Sequence, residues 1–80
     1  MRNVKVEILF QIMPTRDCIV GKQYDAVLVQ KGETVPESHH AYPGQVNDFG
    51  DVVCFFDEVE EDIAIPLMYS QDSFKVVEIN

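Results

Sequence analysis

The side chains best suited to hold a metal or start a reaction in this sequence are two histidines, His39 and His40, and two cysteines, Cys18 and Cys54. Neither pair is spaced for that work. Adjacent histidines point to opposite faces of a strand and rarely converge on one ion even in a turn. The cysteines stand 36 residues apart with no CxxC pattern, and no HExxH is present. A zinc site drawn from these four residues therefore lacks its usual paired spacing. The stretch VPESHHAYPGQ (35–45) offers a carboxylate–histidine combination through Glu37, or through Asp48 just beyond it. Its spacing suits solvent-facing loop histidines better, or a partner contact in which His39, His40 and Tyr42 supply hydrogen-bonding surface. Ser38, Ser70, Ser73, Thr15 and Thr34 lie in no nucleophile elbow, and no Gly-rich phosphate loop occurs. The expectation is a protein with no catalytic residue, no metal and no cofactor. Cys18 and Cys54 read as reduced, partly buried thiols that act as small hydrophobes.

Carboxylates are the chemistry the chain has in quantity. Its formal net charge is −8, and the distribution is lopsided. Residues 1–31 carry a net +2, whereas between Gly32 and Phe74 there are ten acids and not one Lys or Arg. Such a field repels nucleic acid and membrane surfaces and speeds encounter with basic partners. Neither direct nucleic-acid binding nor membrane binding is expected. No apolar run approaches the ~20 residues of a membrane helix, and no signal-peptide core follows Met1, Arg2 and Asn3. A cytoplasmic location is the expectation.

The elements that must position these groups are strands. An apolar fraction of 46% against 25% charged describes a folded chain, not a disordered one. Eighty residues make one domain. Residues 4–12 alternate, with Val4, Val6, Ile8, Phe10 and Ile12 on one face, and predict a half-buried strand that Pro14 terminates. Further strands are predicted over 23–30, 51–56, 62–67 and 74–79. A tight acidic hairpin (DEVEED, 57–62) joins the third to the fourth, and a short link, about one helical turn, precedes the fifth. Residues 31–50, with Gly32, Pro36, Pro43, Gly44 and Gly50, make an unusually long loop between strands 2 and 3. This order gives the expected fold: all-β, a small five-stranded SH3-like barrel with a long loop between strands 2 and 3. Closing the sheet suits so small a domain because it leaves few unpaired edges.

The segments VGKQYDAV (20–27), FGDVVCFFDEVEEDIAIPL (49–67) and FKVVE (74–78) resemble a loose group of small phage and prophage proteins. That group shares an N-terminal strand, a Gly-Lys strand opening with an aromatic two residues on, an acidic turn between two strands, and a terminal F-x-V-V. The resemblance implies an SH3-like barrel and a phage origin, with Gly21 in a turn and Tyr24 and Phe74 in the core. It carries no catalytic residue across. The long middle loop departs from the group, where this connection is short. Signalling SH3 domains are a poorer match, since their proline-ligand groove depends on tryptophan and this chain has none. Pro-rich peptide recognition is not expected.

The expected function is a small acidic protein-binding module that docks on a basic surface of a host or phage protein and acts by occupancy, as an inhibitor would. A nucleic-acid enzyme is one such target. The expected contact residues are Glu33, Glu37, His39, His40, Tyr42, Asp48 and Phe49 in the long loop, with Asp57, Glu58, Glu60, Glu61 and Asp62 in the hairpin. Two alternatives stand beside it. One is a homo-oligomeric structural or accessory phage protein, in which edge strands and Tyr42 or Tyr69 meet their own copies. The other is a mimic of DNA, whose one charge per ~1.7 Å asks for carboxylates in two long rows.

Overall fold

In the computed structural model, residues 2–35, 46–48, 50–69 and 72–78 are described, with the side chain of Tyr69 excepted. Among these residues the fold is all-β: five antiparallel strands form one sheet in the order β4-β3-β2-β1-β5. These are β1 (Arg2–Ile8), β2 (Gln23–Val29), β3 (Val52–Phe56), β4 (Asp62–Pro66) and β5 (Phe74–Glu78). Two single-turn 3-10 helices, η1 (Met13–Thr15) and η2 (Leu67–Tyr69), sit in the connections. No helix among the described residues is long and apolar enough to cross a membrane.

Period-two alternation forms the core. Val4, Val6 and Ile8 of β1, Tyr24, Ala26 and Leu28 of β2, and Ile63 and Ile65 of β4 are buried on one face. Phe55 of β3 is wholly buried among them, and its ring lies 6.0 Å from that of Tyr24 at a 40° tilt. The opposite face is knitted by cross-strand charge pairs. Lys5 meets Asp25 at 2.6 Å and Lys75 meets Glu7 at 3.6 Å, while Arg2 meets Glu78 at 2.8 Å at the exposed margin of the core-facing side.

The first strand stops at Ile8, four residues short of the Ile12 that alternation predicts. The amides of Leu9 and Phe10 both donate to the Ser73 carbonyl, at 2.8 and 3.2 Å. Successive amides of a strand point to opposite sides, so two aimed at one acceptor mark a bend. Phe10 is consequently 48% exposed and off the core face. The chain then turns through η1, where Thr15 is fully buried and its Oγ1 accepts the Ile12 amide at 2.9 Å. It returns to β2 through Gly21, whose φ of +87° suits only glycine without strain and whose amide reaches the Ile8 carbonyl at 2.7 Å.

The long β2–β3 connection is closed at its base. Thr34 bridges Val46, and Asn47, itself buried, donates through Nδ2 to the carbonyls of Val29 and Gly50. At the other end of β3 the hairpin is a type I turn finished by a left-handed residue. Glu60 N donates to Asp57 O and Asp57 N to Glu61 O, both at 3.1 Å, with Glu60 at φ +60°. Asp57 Oδ1 accepts the amides of Val59 and Glu61, at 3.0 and 2.9 Å.

A left-handed conformation costs a non-glycine residue about 1–2 kcal/mol, of which glycine's greater unfolded-state freedom returns roughly half. Glu60→Gly should therefore raise unfolding free energy by about 0.5–1 kcal/mol. Urea denaturation checks this, with the midpoint rising and the slope unchanged.

Candidate functional site

The densest group of described carboxylates lies at one end of the sheet. There the 9–22 connection leaves β1 and enters β2, and the hairpin joins β3 to β4. Glu58 holds these two segments together. Its Oε2 accepts Lys22 Nζ and Tyr24 Oη, each at 2.6 Å. Tyr24 Oη in turn accepts the Ile19 amide at 2.8 Å, and Lys22 Nζ lies 5.2 Å from the centre of the Tyr24 ring. A backbone bond from Glu58 N to Asp17 O, at 3.3 Å, completes the contact. Asp17 is thereby drawn to the hairpin, and its carboxylate lies within 4.8 Å of those of Asp57 and Glu61.

These neighbours shift the titrating groups. The two hydrogen bonds from Lys22 and Tyr24 hold Glu58 below the usual carboxylate range. Burial, and then donation to Glu58, pushes Tyr24 up to about 12. Burial raises Cys18 to about 11, helped by the negative charges of Asp57, Glu58 and Asp17. Cys54 also rises to about 11, through burial and then Asp62. Both thiols are buried, unpaired to each other and held protonated, which disfavours nucleophilic use.

The residues singled out in the sequence fall into three groups. Asp57, Glu58, Glu60, Glu61 and Asp62 lie together on the hairpin end. Glu33 and Asp48 lie at the base of the β2–β3 loop, at the opposite end of β3. Five residues of strand separate the two groups, about 16 Å of backbone, so the structure does not bring them into one patch. Glu37, His39, His40, Tyr42 and Phe49 lie outside the described residues. Within the groups the roles differ. Asp57 is buried and organises the turn, and Glu33 Oε1 accepts the Gln30 amide at 2.7 Å. Glu60 and Glu61 are exposed.

Sequence reasoning missed Asp17, Lys22 and Tyr24 as parts of this end. Asp17 reads as a turn former and Tyr24 as a core aromatic. Lys22 and Glu58 are 36 positions apart, and only the shared end of β2 and β3 brings them together. Beside them, between η1 and β4, lies a cleft of about 490 Å³.

Tyr24→Phe orphans the Ile19 amide and one bond to Glu58, and should cost about 1–2 kcal/mol of stability. Because Tyr24 titrates higher folded than unfolded, its contribution is complete below about pH 10 and is lost as pH rises towards 12. Glu58 works in the opposite sense, contributing above its ordinary value of 4.5 and less as pH falls below it. Unfolding midpoints across pH for wild type and Tyr24→Phe check both signs, and the two curves should converge at the alkaline end. Separately, Cys18 and Cys54 should react with a thiol reagent at neutral pH only at the rate of unfolding, as a time course with and without urea will show.

Comparison of the chain with protein-family models, with curated proteins and with solved structures finds no match.

Proposed function

We propose that this protein is a small acidic SH3-like β-barrel, of phage origin, that docks on a basic surface of another protein and acts by occupancy. The observation that carries the reading is the charge left at the hairpin end. Arg2, Lys5 and Lys75 are engaged with acids of β5, β2 and β1, away from the hairpin. At the hairpin end, Lys22 and Arg16 face Asp17 and the five hairpin carboxylates. Net negative charge therefore stays concentrated there, where it steers a cationic partner.

The barrel reading is supported by the sheet order, in which β5 returns beside β1 after a one-turn 3-10 helix, the arrangement of SH3-like folds. The phage origin rests on the resemblance of the three sequence segments. A basic face, such as that of a nucleic-acid enzyme in the cytoplasm of the host, is the target class. DNA mimicry is less well supported, because the molecule measures 30 × 25 × 24 Å and its described acids are divided between the two ends and the face of the sheet, not set in long rows. A partner reaching both the hairpin and the β2–β3 loop has to lie along the sheet.

A pull-down from bacterial lysate, followed by salt elution, tests this. The expected result is one basic protein, released as salt rises and lost when Glu60 and Glu61 are both changed to Lys. Retention of the captured protein by that variant, or a stable dimer with no captured protein, overturns the reading.

A further inference from the structure

The rungs of the β3–β4 ladder reveal which groups of β4 face outward. Leu67 N donates to Asp51 O at 3.0 Å beyond one end, and Asp57 N to Glu61 O at 3.1 Å beyond the other. Both are hydrogen-bonded rungs of one antiparallel register. Such rungs alternate, so Val53↔Ile65 and Phe55↔Ile63 are hydrogen-bonded and Cys54↔Ala64 is not. Ala64 therefore turns its N–H and C=O away from β3, at the end strand of the sheet order. The cleft against η1 lies on this edge, since it is lined by Ile63 from the core face of β4 and by Ala64 from the opposite face.

Across the cleft stand Met13, which is 78% exposed, and Pro14. Asp17, Glu61 and Asp62 supply its acidic rim, with Arg16, paired to Asp17 at 3.7 Å, as the opposing charge. Outward backbone, an apolar wall and net negative charge suit one kind of occupant. We infer that this cleft receives an extended segment of a partner protein that alternates Lys or Arg with apolar residues and pairs with β4 at Ala64. The inference rests on the docking reading above and names its contact. Main-chain bonds to Ala64 fix the segment's direction, Met13 and Pro14 take its apolar side chains, and the rim takes its cations. A second copy of this chain fits the edge poorly. Antiparallel β4–β4 pairing about Ala64 sets Asp62 opposite Pro66, which has no N–H to give, and joins two chains of net charge −8.

The test titrates the ¹⁵N-labelled 80-residue chain at low salt with an acetylated peptide alternating lysine and valine. Shifts should concentrate at Asp17 and at residues 61–64, and hydrogen exchange at the Ala64 amide should slow. Ala64→Pro removes that donor without touching a ladder bond, and Glu61→Gln removes a rim charge on an exposed side chain. Each should weaken the dissociation constant about five- to tenfold, while Glu33→Gln leaves it unchanged. A well-dispersed spectrum confirms that each variant is folded, and Glu61→Gln carries the test if Ala64→Pro is not. Binding that shifts Glu33 and Asp48 instead, or that ignores Glu61→Gln, overturns the cleft and leaves the docking reading standing. No binding of either this peptide or polylysine overturns both. Ala64 protected without peptide, in a concentration-dependent dimer, assigns the edge to a second copy and overturns the inference.

Discussion

One carboxylate oxygen organises the acidic end of this molecule. Glu58 Oε2 accepts both Lys22 Nζ and Tyr24 Oη, and this joins the end of the 9–22 connection and the start of β2 to the β3–β4 hairpin. The hairpin carries five carboxylates in six residues, and Asp17 adds another within 4.8 Å of two carboxylates of the group. Like charges so close repel, and Lys22 and Arg16 are the cations placed to offset them. Through Tyr24, whose ring packs on Phe55, the same oxygen also links the charged surface to the hydrophobic core. The position of η1 opposite β4, and so the cleft, follows from where this contact places the 9–22 connection.

Carboxylates that look alike in the sequence do different work in the fold. Asp57 accepts two turn amides from a buried position, and Glu33 accepts the Gln30 amide at the base of the long loop. Glu58 is the tether. The exposed side chains of Glu60 and Glu61 remain at the tip, and Glu60 is there despite a left-handed backbone that favours glycine. A strained backbone that bears an exposed charge is more economically explained by a use for the charge than by the stability of the turn.

The strands were legible because their apolar residues alternate, and because Gly, Pro and acidic turns separate them. The end of β1 was not. Alternation continues through Phe10 and Ile12, and only the Ser73 carbonyl, more than sixty positions away, bends the chain at Leu9. The contact of Asp17 and Lys22 with the hairpin was hidden for the same reason. The separation of Glu33 and Asp48 from the hairpin acids, by contrast, could have been read from topology alone. Segments that precede and follow one strand leave it at opposite ends, so two acidic loops flanking β3 do not form one patch.

Charge and backbone contribute differently to an interface at this end. In physiological salt the field of exposed carboxylates is screened over about 8 Å, so it draws a basic partner close without fixing its orientation. The Ala64 edge acts at hydrogen-bond range and sets direction, but it attracts nothing from a distance. The acidic rim of the cleft brings the two within reach of one segment, and Pro66 limits how far that segment can pair along β4. A short cationic strand satisfies both requirements, and a uniformly basic surface without an extended segment satisfies only the first.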